Sequence, residues 1–184
     1  RVSAPDCPDF VVIDLDPSPG NTYKQVVKVA WTVKYVLDEL MLHSYIKTSG
    51  AEGLHIYIPV QNQYDYKQIR DFAQLVAAAV CHLVPELATI ERMVNKRGSL
   101  IYVDYLQNAR GQTLCAPYSV RPRAGAPVSC PLHWEEIDSI EPSQFTIKTI
   151  LPRLLQYGDI FAPVLDNKQS LAGAQERLGL LTTV

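Results

Sequence analysis

No signal-peptide stretch and no apolar run approaching the roughly 20 residues of a membrane span occurs in this sequence, so neither a secretory leader nor a membrane partner is expected. Its four cysteines, Cys7, Cys81, Cys115 and Cys130, lack short paired spacing. They fit neither a zinc site nor a compact disulfide framework, and reduced thiols in a cytoplasmic protein are the expectation. A charge excess is missing too: 17 Lys and Arg against 19 Asp and Glu leave a formal net charge of −2. A whole-domain reader of duplex usually carries a basic surplus, so net charge does not announce nucleic-acid binding. Internal repeats and low-complexity tracts are also absent. What is present is the composition of a folded domain, 184 residues of which 47% are hydrophobic and 20% charged.

Three carboxylates break this ordinary background. Asp14 and Asp16 alternate along an apolar strand pattern from Phe10 to Pro17, and Asp104 ends a second such run over 99–104. Side chains two apart on a strand share a face, so Asp14 and Asp16 can reach one ion together and an acid from a neighbouring strand can complete the set. A two-metal phosphoryl-transfer site requires this arrangement. Buried carboxylates cost several kcal/mol, by order of magnitude, unless paired or bound to a cation. An Asp-x-Asp at a strand end also occurs as a helix cap or a turn, and the third acid favours the metal reading.

Around these acids the pattern alternates strands and helices. A turn over 17–22 precedes a helix over 23–41 on Val26, Val27, Ala30, Val33, Val36, Leu37 and Leu40. Strands over 43–48 and 54–60, joined by a glycine-bearing turn over 49–53, make a hairpin. A second helix over 65–84 is ended by Pro85, and a short turn or helix leads to the Asp104 strand. The Pro- and Gly-dense segment 116–131 reads as extended loops or an edge strand, followed by short helical pieces and a surface tail after Asp159. Trp31 and Trp134 read as core or interface aromatics.

The turn carries Ser49, Gly50, Gly53 and, just beyond, His55; its backbone N–H groups can approach phosphate oxygens, or it is an ordinary hairpin turn. Basic residues gather near Asp104 at Lys96, Arg97, Arg110, Arg121 and Arg123, a phosphate-binding face or a solvated charged edge.

Four stretches, 9–17, 48–59, 96–108 and 116–121, closely resemble in order and spacing the polymerase domain of bacterial ligase D, from the archaeo-eukaryotic primase superfamily, which works in non-homologous end joining. The likeness continues through 128–136 and 145–147 to Asp166-Asn167-Lys168-Gln169-Ser170-Leu171. The resemblance implies an α/β (α+β) primase-polymerase catalytic core, with an RNA-recognition-like, mainly antiparallel sheet flanked by helices, as one domain over 1–184. It implies nucleotide addition to primer 3′-hydroxyl ends. Asp14, Asp16 and Asp104 would be catalytic ligands to two divalent metal ions, manganese favoured over magnesium. Ser49, His55, Arg97 and Arg121 would hold the triphosphate, with Gln107 near the nucleotide. Implied partners are DNA ends with a primer-template or gap, ribonucleoside (preferred) or deoxyribonucleoside triphosphates, a ligase domain and an end-binding repair protein, in the bacterial nucleoid.

Two features depart from the family. Relatives usually carry an earlier section that grips the template, its 5′-phosphate and the incoming base, whereas this sequence opens on the metal strand, as a fragment or minimal relative would. Glu52 stands where many relatives place a basic residue. Two other readings therefore stay open: a non-catalytic module that binds a nucleic-acid end or repair partner, and a metal hydrolase, for which only His55 offers itself as a base.

Overall fold

Alternation along β1 (Phe10–Asp16) divides the protein into two faces. Val11, Ile13 and Leu15 are fully buried on one side, while Phe10, Val12, Asp14 and Asp16 point to the other. The computed structural model describes residues 4–181; residues 1–3 and 182–184, the ends of the expected domain and of its tail, lie outside the described residues. β1 is central in a six-stranded sheet of order β4-β5-β1-β3-β2-β6, built with β2 (Tyr45–Thr48), β3 (Leu54–Pro59), β4 (Ala88–Thr89), β5 (Ile101–Asp104) and β6 (Pro131–Leu132). Every pairing is antiparallel except β4 with β5, in agreement with the expected mainly antiparallel sheet.

Two long helices, α1 (Tyr23–Glu39) and α2 (Tyr66–Leu83), bury Val26, Ala30, Val33, Ile69, Phe72 and Val76 in one apolar cluster with Val11, Ile13, Leu15, Ile56 and Ile58. Each starts on a capping box, Thr22 with Gln25 and Asp65 with Gln68, which satisfies two otherwise orphaned N–H groups at each end. α1 stops at Glu39, short of the expected 41, because Met41 turns into the left-handed region at φ 58°. α2 yields at Val84, the residue that Pro85 disfavours in helical geometry. On the opposite sheet face a smaller cluster joins Val12, Tyr57 and Val164 from α4 (Pro163–Asp166), with Phe10 and Phe161 against it. α3 (Ile150–Tyr157) and α5 (Ala174–Leu181) complete the chain. Among the described residues no helix is long and apolar enough to cross a membrane.

Some elements differ from expectation for local reasons. The strand expected over 43–48 begins at Tyr45, because the Gln169 amide takes both main-chain groups of His43 at 2.7 and 2.9 Å. The short turn or helix expected around Pro85 and Glu86 is a turn, and after it the chain adds an unforeseen β4 as a parallel edge beside β5. Segment 116–131 does end in an edge strand, β6, after bridges from Val120 to Val128 and from Pro127 to Thr146. Trp134 is buried with its ring 5.5 Å from that of Trp31.

The tail returns to the sheet through charge. Lys168 Nζ donates to the Asp9 carboxylate at 2.9 Å and to its carbonyl at 3.0 Å, and Asn62 donates to the same carboxylate. Burial works against the charged form, but these hydrogen bonds outweigh it and hold the Asp9 carboxyl well below the usual carboxylate range. A depressed folded value gives stability that is present above the unfolded pKa of about 4 and is lost as pH falls toward the folded value. Lys168→Met should therefore lower the thermal midpoint at pH 7, and the gap from wild type should shrink as the melts are repeated from pH 4 downward.

β5 ends at Asp104, opposite Asp14, so the first half of β1 has no strand on that side. Asn108 replaces it: its Oδ1 accepts from Val12 N–H at 2.8 Å and its Nδ2 donates to Val12 C=O at 2.7 Å, as a peptide unit would. Asn108→Ala leaves two buried main-chain groups of Val12 unpaired, and a loss of about 2–3 kcal/mol is expected in urea unfolding, seen as a lower midpoint at unchanged slope.

Candidate active site

Sheet register sets five residues in one row across the face opposite α1 and α2: Pro131, Lys47, His55, Asp14 and Asp104. Asp16 lies two residues along the same face, paired with Tyr102. The three acids expected from sequence thus do sit on adjacent strands of one face.

Asp14 is half-buried, its side chain 16% exposed, whereas Asp16 is exposed. Burial, then the negative charges of Asp104 and Asp16, push its carboxyl up to about 7, while Lys47 and Arg121 act in the opposite direction. His55 stands on its other side, Nε2 at 3.4 Å from Asp14 Oδ1. Burial first, and then the charges of Lys47 and Arg121, drive the imidazole down to about 3, so it is neutral. Lys47 is fully buried, which lowers its ammonium to about 8. Its Nζ reaches His55 Nδ1 at 3.0 Å and Ser129 Oγ at 2.5 Å.

Each acid is held by its own neighbours. Asp104 accepts from Leu106 N–H at 2.7 Å and from the Tyr102 hydroxyl at 3.2 Å. Asp16 meets Arg97 Nη1 at 3.3 Å. Arg97 itself is 8% exposed, donates to the carbonyls of Glu91 and Arg92 at 2.8 Å, and lies 3.9 Å over the Tyr102 ring. Among the described residues no three His, Cys, Asp or Glu side chains are gathered closely enough to hold one ion. The donor set nevertheless fits a hard divalent cation: the candidate ligands are carboxylate oxygens, and the repulsion that adds to burial in raising Asp14 is what a cation relieves.

A cleft of about 260 Å³ opens beside the row, walled by Asp14, Asp16, Ser49, His55, Gln107 and Arg121, with Glu52 and Arg123 at hand. Asp104 and Arg97 are not part of its wall. Gln107 Oε1 and Arg121 Nε are buried without a hydrogen-bond partner, although both belong to cleft residues. Glu52 pairs loosely with Arg123 at 4.0 Å.

The turn, open to reading as a phosphate-approaching loop or an ordinary hairpin turn, spends two of its N–H groups internally. Those of Ala51 and Gly53 donate to Ser49 Oγ at 3.1 and 3.2 Å, closing the turn on its own hydroxyl. Its glycines answer to packing instead. A Cβ on Gly50, whose φ is +75°, would stand 2.6 Å from Arg121 Cγ, and one on Gly53 would stand 2.2 Å from the Leu15 carbonyl oxygen. The turn thus lies directly on β1 with Arg121 laid across it.

Sequence reading missed Lys47 and Ser129. Lys47 was recoverable by counting back from the turn, since the hairpin pairs Thr48 with Leu54 and Lys47 with His55. Ser129 arrives from a loop about 80 residues away and left no local signal.

A helix-backed, mainly antiparallel sheet with acids on adjacent strands beside a cleft walled by Arg121 and Gln107 is the arrangement expected of a primase-polymerase domain. The chain belongs to the LigD primase-polymerase domain family, whose family model matches residues 1–161. It is 35% identical over 173 residues to the multifunctional non-homologous end joining protein LigD of Pseudomonas aeruginosa, covering 92% of this chain and 21% of that protein. To the bifunctional non-homologous end joining protein LigD of Bacillus subtilis it is 38% identical over 164 residues, 88% of this chain and 27% of the relative. The chain thus spans about a quarter or less of the length of these relatives. The solved polymerase domain of Mycobacterium tuberculosis ligase D in complex with DNA superposes with a TM-score of 0.81 at 29% identity, over 89% of this chain and 57% of the other.

Gly53→Ala should force the turn off β1. Because backbone, not a flexible side chain, is in the way, a drop of several degrees in thermal midpoint is expected, whereas Gly98→Ala, with open space around it, should cost only the backbone strain of a non-glycine residue at φ +59°.

Proposed function

We propose that this domain performs metal-dependent nucleotidyl transfer, adding ribonucleotides in preference to deoxyribonucleotides to primer 3′-hydroxyl groups at DNA ends during non-homologous end joining. The carrying observation is Asp14, half-buried beside Lys47 and His55 and raised by burial and then by two neighbouring acids, on a cleft that Arg121 and Gln107 also wall. The curated relatives are end-joining proteins and the solved relative is a complex with DNA, which supports the same reading.

In it Asp14, Asp16 and Asp104 hold two divalent ions, manganese favoured over magnesium. Such ions supply a Lewis acid that lowers the pKa of an attacking hydroxyl and offsets charge on a leaving pyrophosphate. The chain's own groups do the rest. Arg121 turns a guanidinium fork to triphosphate oxygens. Ser49, whose oxygen already accepts from the turn, has its hydroxyl hydrogen left to donate to a phosphate. His55 closes the floor beside Asp14, Gln107 offers an acceptor to the nucleotide, and Arg97 steadies Asp16 while adding positive charge beside it. A ligase domain and an end-binding repair protein are the partners this reading expects.

A binding module that keeps the site without transfer is the second reading, favoured by Asp104, whose carboxylate is engaged by Leu106 and Tyr102, and by Glu52 at the cleft.

Calorimetric titration of a ribonucleoside triphosphate with and without manganese separates these. Binding should require manganese and vanish in Asp14→Asn, whose thermal midpoint should be unchanged or raised because like-charge repulsion is removed. Asp104→Ala should then lower primer elongation by more than about a hundredfold while the protein stays folded, the scale of several kcal/mol of charge stabilisation. Elongation at the wild-type rate in Asp104→Ala would sink the transferase assignment; manganese-dependent binding with no elongation would select the binding module. Release of nucleoside monophosphate in place of an elongated primer would select hydrolysis.

A further inference from the structure

A lysine enclosed at 0% exposure in the middle of a sheet face is an expensive choice where methionine would fill the same space, because a buried ammonium loses its hydration. Lys47 is compensated group by group. Its Nζ is 2.5 Å from Ser129 Oγ, 3.0 Å from His55 Nδ1 and 3.5 Å from the Thr48 carbonyl oxygen, one acceptor for each ammonium hydrogen. Ser129 spends its single hydrogen on the Thr48 carbonyl at 2.7 Å, so toward Lys47 it only accepts. An ammonium has donors and no lone pair, so His55 Nδ1 must accept too. A neutral imidazole with an accepting Nδ1 carries its hydrogen on Nε2, the atom 3.4 Å from Oδ1 of Asp14, which lines the same cleft.

We propose that Lys47 is a positioning residue that fixes the tautomer of His55, so that the imidazole offers the cleft an Nε2–H donor and no lone pair. The Lys47–His55 hydrogen bond runs one way, and it turns Nε2–H toward Asp14, whose Oδ1 lies 3.4 Å off, in charge contact without a formed hydrogen bond. His55 then serves as a neutral donor to a phosphate oxygen or to Asp14, and is unfit to act as a general base or as a metal ligand through Nε2. The role in nucleotide binding rests on the transferase reading above; the tautomer does not.

The test is nitrogen-15 NMR of the histidine rings in the intact chain, with His55 assigned by its absence in His55→Asn, together with calorimetric affinity for a ribonucleoside triphosphate in manganese. Wild type should show one tautomer, protonated at Nε2. Lys47→Met should lose that signature, giving Nδ1–H or a mixture, and should weaken nucleotide binding about tenfold or more, the scale of a hydrogen bond to a charged group. Lys47→Gln, whose amide still donates, should restore the Nε2–H tautomer and most of the affinity without restoring the charge. A lysine that merely braces β2 against the Ser129 loop would leave the ring spectrum unmoved. Wild-type His55 protonated at Nδ1, or a folded Lys47→Met that keeps a single Nε2–H tautomer, overturns the proposal. Nε2–H in a wild type that binds no nucleotide supports the tautomer assignment and overturns the transferase reading instead.

Discussion

Repulsion between carboxylates brought together by strand register is the constraint around which this domain is arranged. Placing Asp14 directly opposite Asp104, with Asp16 on the same face, concentrates negative charge at the centre of a sheet whose reverse side is closed by helices. Nearly every polar choice nearby answers to it. Lys47 and Arg121 act against the rise in the Asp14 carboxyl, Arg97 is bound to Asp16, and Asp104 is pulled toward the Leu106 N–H. A sheet that only needed to be stable would carry apolar residues here, as the helix-facing side does apart from Thr48.

The same constraint explains the close fit of the hairpin turn. Positive charge must come near Asp14 without being bonded away by it, and Arg121 achieves this from a loop that crosses the turn at Gly50. Any side chain at Gly50 would lift that loop. Gly53 lets the turn rest on the Leu15 carbonyl, so the cleft floor is packed directly against β1. Packing of this kind suits a site in which charge must be placed before a ligand arrives.

Legibility from sequence followed the range of the interactions. The period-two pattern over 10–16, the helical period of α1 and α2, the turn over 17–22 and Pro85 are local signals, and they located the core elements to within a residue or two. Asp14, Asp16 and Asp104 were legible because acids are conspicuous in apolar strands. Lys47 was not, since lysine at a strand position reads as solvated edge until the register with His55 is counted. Ser129 and Asn108 were invisible because their partners lie 82 and 96 residues away. The glycine turn was legible as a turn but not in its purpose, because steric contact with Leu15 and Arg121 is a property of the folded arrangement alone.

The two outermost strands, β4 and β6, have only two residues each, and β6 begins with Pro131, which has no N–H to offer. Edge ladders are the usual route by which sheets recruit a further strand from another molecule, and short or proline-bearing edges blunt it. Among the described residues the sheet is therefore poorly suited to strand-by-strand annexation. Contact with other macromolecules falls to side chains on its faces and loops, where charge and shape can discriminate, and not to the backbone, which would pair with any extended chain.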